Sequence, residues 1–210
     1  MTIHSLDHLW IPAKKPTMRT LLVLHGRGDS YHGFLWLVEE LASPHLNYLL
    51  VNAPDDYYGG YSWYDLPPMQ LPGIMRSRRL MDSLFDELES QGIPSTEVLI
   101  FGFSQGCLMC LEWGARTHRK LAGFIGVSGY CYDPVALGNE LSETAKQSSW
   151  LITHGTQDEV LAFSETEKHV RMLRESGLNL EFKSYYKGHT IDPDEELPLL
   201  KERIFSLLTV

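Results

Sequence analysis

Positive charge is in short supply: 18 Lys and Arg stand against 27 Asp and Glu, a formal net charge of −9. No block of Lys or Arg gathers what there is. A nucleic-acid face needs clustered cations against phosphate, so nucleic acid is not expected as a partner. The same shortage argues against docking on an anionic bilayer. Cysteine is scarce as well, at three, an odd number. That is no disulfide framework, and a chain of 210 residues buries enough surface to need none. No run approaches the roughly 18 apolar residues of a membrane span, so no integral membrane contact is expected. The opening Met1–His8 has neither a basic segment nor an apolar stretch, so a secretory signal is not expected either. These absences together point to a cytoplasmic protein with reduced thiols. His, Cys, Asp and Glu nowhere fall at metal-ligand spacing, and no metal is expected. No repeat and no low-complexity linker divides the chain, so one domain spanning 1–210 is expected.

What is present is an alternation. Short apolar runs, Leu21–His25, Tyr48–Val51, Val98–Phe101, Leu121–Val127, Trp150–Thr153 and Leu180–Tyr185, are separated by helical stretches. Most runs are near-continuous rather than alternating, as in parallel strands buried on both faces. Leu9–Ile11 is weaker, and is expected to pair antiparallel with Leu21–His25 at an edge. Met81, Leu84, Phe85 and Leu88 share one helix face; Phe163, Thr166, Val170 and Leu173 share another; Leu197, Leu200, Ile204 and Leu207 share a third. Asp192, Pro193 and Glu195 read as the cap, first turn and capping partner of the last helix. Strand–helix alternation of this kind predicts an α/β fold with a mostly parallel central sheet and helices on both faces. Asn52–Gly73 shows no clear element. It holds four Tyr, one Trp and four Pro, so it reads as an ordered functional loop rather than a disordered one.

Gly102-Phe103-Ser104-Gln105-Gly106 matches G-x-S-x-G, a pattern expected about 0.1 times by chance in a chain of this composition. Its setting is more telling than the match. Val98–Phe101 enters as a strand and Cys107–Thr117 leaves as a helix, the strand–turn–helix context of a nucleophile elbow. The glycines let neighbouring chain pass close to a strained serine. Gly126-Val127-Ser128-Gly129-Tyr130 also follows a strand but lacks the second glycine, so Ser128 is the poorer nucleophile. A base and its orienter should follow Ser104 at strand ends. His189 follows the last strand, and Asp158 follows Trp150–Thr153. His189 could take the serine proton while Asp158 holds the other ring nitrogen. Glu159, Asp133 and Asp192 compete with Asp158. His154, beside Gly155 at a strand end, reads as a structural residue that bonds the turn. His118 and His169 read as solvated helix positions.

Leu21–Asp29 runs from a strand into a glycine-rich turn. The Arg27 N–H is the candidate second oxyanion donor, beside that of Gln105. The dinucleotide alternative fails because Tyr31 stands where a third glycine would be required. The Arg27 side chain is read either as solvated or as meeting an anionic part of the substrate. Tyr61, Trp63, Leu66, Met69 and Leu71 could line an acyl groove, or simply pack the loop on the sheet. Cys107-Leu108-Met109-Cys110 is a C-x-x-C, but behind an elbow it reads as helix packing rather than a redox pair.

Six segments in order resemble the phospholipase/carboxylesterase group of α/β-hydrolases, which includes acyl-protein thioesterases. They are Leu24–Asp29, Asn52–Pro54, Ser62–Asp65, Gly102–Gly106, His154–Asp158 and Gly188-His189. The resemblance implies cleavage of small-molecule carboxylic esters through an acyl-serine, without cofactor. Acyl thioester hydrolysis on the same scaffold is the alternative, and a non-catalytic binding protein the outlier. It implies Ser104, His189 and Asp158 as the triad, the Arg27 and Gln105 N–H groups as the oxyanion hole, and an apolar acyl site beside Ser62–Asp65. It leaves a homodimer open. Arg27 stands where the family usually has a smaller or apolar residue, and Cys107 where it often has glycine.

Overall fold

The apolar runs become one seven-stranded sheet in the computed structural model, which describes residues 1–208. Strands β1 (His8–Ile11), β2 (Thr20–Leu24) and β3 (Asn47–Val51) lie on one side of β6 (Val98–Phe103). On the other side lie β7 (Gly123–Val127), β8 (Trp150–Gly155) and β9 (Leu180–Tyr185), giving the order β1-β3-β2-β6-β7-β8-β9. All pairings are parallel except β1 with β3.

Every residue of β2, β3, β7 and β8 is buried. The two faces of the sheet feed different cores. Leu22, Leu24, Ile100 and Ile152 pack with α2 (Gln70–Ser90), α3 (Gln105–Gly114) and α6 (Phe163–Glu175). Leu21, Val23, Leu99 and Leu151 pack with α1 (Leu35–Leu41) and α7 (Glu196–Leu208). Each fully buried leucine of this kind contributes about 1.5–3 kcal/mol, so both helix layers are held by the strands' period-two alternation. Two short helices, α4 (Pro134–Asn139) and α5 (Glu143–Gln147), bridge β7 to β8.

Four expectations are corrected. The antiparallel edge strand forms, but on β3: His8 pairs with Val51 and Ile11 with Tyr48. β2 already has β3 and β6 on its two edges, so only the outer edge of β3 is free. The Asn52–Gly73 stretch is not elementless. It contains a hairpin of β4 (Asp55–Tyr57) and β5 (Gly60–Ser62), and it runs into the start of α2. Tyr58 and Gly59 both have positive φ, +46° and +89°, the geometry of a tight two-residue hairpin loop. The last helix begins at Glu196 rather than after Asp192. Asp192 still caps the preceding turn, accepting from Asp194 N and Glu195 N, while the reciprocal bond to its own N–H comes from Glu196. The α3 helix also ends at Gly114, short of Thr117.

Because β2, β6, β8 and β9 are parallel, the loops that follow them leave from one edge of the sheet. Arg27, Ser104, Asp158 and His189 lie on those loops.

Candidate active site

Ser104 sits in the turn between β6 and α3 with φ +53° and ψ −113°, a left-handed-side conformation that L residues rarely adopt. Its surroundings require the two motif glycines. A Cβ at Gly102 would lie 2.3 Å from the Gly106 carbonyl oxygen, and one at Gly106 would lie 2.1 Å from that of Leu24. The strand, the helix and the β2 loop therefore meet with no room for side chains. The Ser104 N–H donates to Val127 O at 2.9 Å, tying the elbow to β7.

His189 Nε2 lies 2.9 Å from Ser104 Oγ, and His189 Nδ1 lies 2.7 Å from Asp158 Oδ2. The carboxylate accepts at Nδ1, so that nitrogen carries the proton and Nε2 is left to accept from the serine hydroxyl. The Asp158 carboxylate is itself enclosed, and its Oδ1 receives the N–H groups of Val160 at 2.9 Å and Leu161 at 2.8 Å. Burial pushes this carboxyl up. The Leu161 N–H, the bond and charge of His189 and the Val160 N–H outweigh it, so the group stays ionised below its ordinary 3.8. His154 takes the structural place expected of it, with Nε2 donating to Leu161 O at 2.9 Å. Its burial lowers its pKa, so the neutral ring fixes the loop that presents Asp158, and its 3.4 Å approach to Asp158 is no ion pair.

A Cβ at Gly26 would lie 3.2 Å from Ser104 Cβ, so the β2 loop passes directly beside Ser104. Arg27 follows in that loop, and no hydrogen bond within the described residues uses its N–H. Gln105 opens α3, where an N–H has no carbonyl one turn back. Two free backbone donors thus flank Ser104, an arrangement able to stabilise negative charge on an acyl oxygen.

Sequence reasoning missed the side chains that hold this arrangement. Gln105 Oε1 accepts from Trp63 N at 2.9 Å and Ser62 Oγ at 3.2 Å, while its Nε2 donates to Tyr64 O at 2.8 Å. Trp63 Nε1 donates to His25 O at 3.0 Å, and His25 Nε2 accepts from Ala53 N at 3.0 Å. Burial lowers the His25 pKa and keeps that acceptor nitrogen unprotonated. These residues lie in the recognised segments, but alternating polarity carries no record of which carbonyl each will meet.

The acyl-groove expectation divides. Leu66 lines a cavity of about 360 Å³ beside Ser104, with Pro67, Val160 and Leu161 as its other apolar walls. Trp63 does not, because it is fully buried as a strut. Tyr61 is packed against the core, its backbone bonded to Gly28 and Asp29. Met69 and Leu71 are exposed and line neither cavity that adjoins the triad residues. The C-x-x-C cysteines are buried thiols. Cys107 packs where a Cβ at Gly126 or Gly129 would lie within 2.5 Å of it, and burial pushes its pKa up to about 12. A thiol so far from ionisation is no redox nucleophile. Ser128 also has positive φ, +51°, but is fully buried and faces Lys187 Nζ at 3.3 Å.

Known proteins resemble this chain in sequence and in fold. A family model described as Phospholipase/Carboxylesterase matches residues 8–204. The chain is 32% identical over 170 residues to acyl-protein thioesterase 1 of Yarrowia lipolytica, covering 73% of this chain and 75% of that protein. It is 30% identical over 212 residues to acyl-protein thioesterase 1 of Emericella nidulans, covering 88% and 89%. Among solved structures, esterase PE8 superposes with a TM-score of 0.86 at 25% identity over 97% of this chain and 99% of that one. A phospholipase/carboxylesterase from Dyadobacter fermentans superposes at 0.77 and 26%, over 98% and 99%.

Proposed function

The chain belongs to the phospholipase/carboxylesterase family of α/β-hydrolases and is a hydrolase of ester bonds, and from that premise we propose that it works through an acyl-serine formed on Ser104. The observation that carries this reading is the unbroken chain of contacts from Ser104 Oγ through His189 to Asp158 Oδ2, at 2.9 and 2.7 Å.

In the proposed cycle His189 Nε2 takes the proton of Ser104 as Oγ attacks the acyl carbon. The imidazolium that forms is stabilised by the ionised Asp158. Negative charge develops on the acyl oxygen between the N–H groups of Arg27 and Gln105. The C–O or C–S bond to the leaving group then breaks, and His189 gives its proton to that group. Water, deprotonated by the same nitrogen, then attacks the acyl carbon; the bond to Ser104 Oγ breaks, Oγ takes the proton back from His189, and the acid is released.

The substrates we propose are small carboxylic esters. Thioesters are the second reading, favoured by the names of the sequence relatives, which are acyl-protein thioesterases. The same residues serve both. A cytoplasmic site of action fits the three buried free thiols, and one domain over 1–210 fits the single sheet spanning β1 to β9. The last two residues of that span lie outside the described residues. Every residue in the proposed cycle comes from one chain, so the chemistry needs no homodimer.

The test is hydrolysis of p-nitrophenyl esters and acyl-CoA thioesters by wild type and Ser104→Ala. The expected loss in the variant is on the order of 10⁴-fold or more in kcat. Undiminished turnover in Ser104→Ala refutes the acyl-serine.

A further inference from the structure

Two cavities flank the Ser104–His189 pair, and they differ in charge. The one of about 360 Å³ includes Ser104, Gln105 and Arg27 in its walls. The one of about 550 Å³ includes His189 but not Ser104, together with Asp29 and Glu40. This assignment rests on the proposed acyl-serine reading. His189 protonates the departing atom, so the leaving group extends on the His189 side. The oxyanion lies toward the Gln105 and Arg27 N–H groups, and the acyl substituent is left the cavity beside Ser104.

The acyl-side cavity has no carboxylate in its wall among the described residues. The one residue in its wall that carries charge is Arg27, whose side chain is exposed and makes no ion pair among the described residues. The guanidinium is nevertheless placed. Its Cζ stands 5.4 Å from the Tyr57 ring centroid, and the hairpin carrying Tyr57 is bonded to the Arg27 loop by Gly28 N to Tyr61 O and Tyr61 N to Asp29 O, both at 2.8 Å. The backbone at Arg27 and the aromatic face under its side chain therefore belong to one bonded unit. A further polar group faces the same cavity. Tyr130 OH lines it and accepts from Gln70 Nε2.

We propose that the acyl group of the preferred substrate carries a carboxylate, and that Arg27 is the residue that selects it. A single planar guanidinium with one hydroxyl nearby matches a monoanion, whereas a phosphate dianion would call for more than one cation. The selection is local. A protein of net charge −9 repels anions at long range, so a preference for an anionic ester cannot come from its overall field.

The experiment compares kcat/KM for two esters of one leaving group, p-nitrophenyl octanoate and the mono-p-nitrophenyl ester of suberic acid. These differ only in a terminal methyl against a terminal carboxylate. Wild type should favour the half-ester, with the preference shrinking as salt is added. The ratio should fall about tenfold in Arg27→Leu and be partly kept in Arg27→Lys, the size of a lost charge-assisted hydrogen bond. A third ester, 4-octanoyloxybenzoate, carries its anion on the leaving group and should show no gain that depends on Arg27. An identical half-ester ratio in wild type and Arg27→Leu, a salt-insensitive ratio, or an equal Arg27 effect on the benzoate overturns the proposal while leaving the hydrolase intact. Failure of wild type to cleave any of the three esters, with Ser104 also inert to a fluorophosphonate, defeats the acyl-serine reading and this proposal with it.

Discussion

Ser104 pays for its position with a positive φ, and each of its neighbours is shaped to tolerate that. The glycines at 102 and 106 remove Cβ atoms that would stand within 2.3 Å of backbone oxygens. His189 is aimed by a carboxylate that is in turn fixed by two N–H groups. The logic predicts the effect of Asp158→Asn. An amide can present its NH₂ to Nδ1, which moves the ring proton to Nε2 and removes the acceptor Ser104 needs. The expected loss is on the order of 10⁴-fold in kcat with the fold intact, measured by steady-state kinetics beside circular dichroism. A loss under tenfold would mean that Asp158 does not set the tautomer. Gln105 shows the same dependence at a distance. Gln105→Ala leaves the buried Trp63 N–H without its side-chain partner, at about 1–3 kcal/mol, while the Tyr64 carbonyl keeps only its bond from Ser62 Oγ. A denaturant midpoint unchanged from wild type would contradict that.

Among the elements, the β9–α7 connection carries the greatest load, because it holds His189 with few strand or helix bonds. A buried ion pair anchors it. Lys187 Nζ reaches Glu196 Oε1 and Oε2 at 2.6 and 2.5 Å and also donates to Thr190 O at 2.6 Å. Burial lowers the Lys187 pKa, and the charge and hydrogen bonds of Glu196 oppose that shift. Lys187→Met strands a buried carboxylate, at a cost of about 3–5 kcal/mol. For a domain of this size that is a fall of roughly 6–20 °C in Tm. Adding Glu196→Leu should recover much of it, because the pair rather than either charge is what the site tolerates. A calorimetric scan in which the double variant is no more stable than the single one would refute this. Elements of this kind also mark the limit of what sequence shows. Leu180–Tyr185 was legible to the residue and the strand–turn–helix about Ser104 in outline, because apolar runs and glycine spacing are local signals; the strand runs on to Phe103 and the helix spans Gln105–Gly114. The β4–β5 hairpin was hidden by polar strands of three residues, too short for a period to appear. The partner of β1 was illegible because strand neighbours are set by the whole sheet. The Lys187–Glu196 pair was hidden because nine residues apart in a loop fixes no geometry.

Over the whole molecule, burial has left three histidines with lowered pKa values, His25, His154 and His169. Unfolded, each takes a proton near its ordinary 6.5; folded, each resists until lower pH. Below 6.5 the unfolded state therefore binds more protons, and stability falls as pH falls. Asp158 adds a later loss. Its stabilisation is present above its ordinary 3.8 and disappears as pH drops through its depressed folded value. Thermal melts in physiological salt, which screens the change in surface charge, should give a lower Tm at pH 5.5 than at pH 7.5. A flat profile would mean that the histidines are not buried as neutral rings. The same packing sets the two cavities on either side of one nucleophile, so the central claim is that all of this structure serves Ser104. The most direct test is peptide mapping by mass spectrometry after brief treatment with a fluorophosphonate. One adduct is expected, on the peptide holding Ser104, formed fast in wild type and slowed by orders of magnitude in His189→Ala. An adduct on Ser128, or none at all in protein that still hydrolyses esters, would contradict it.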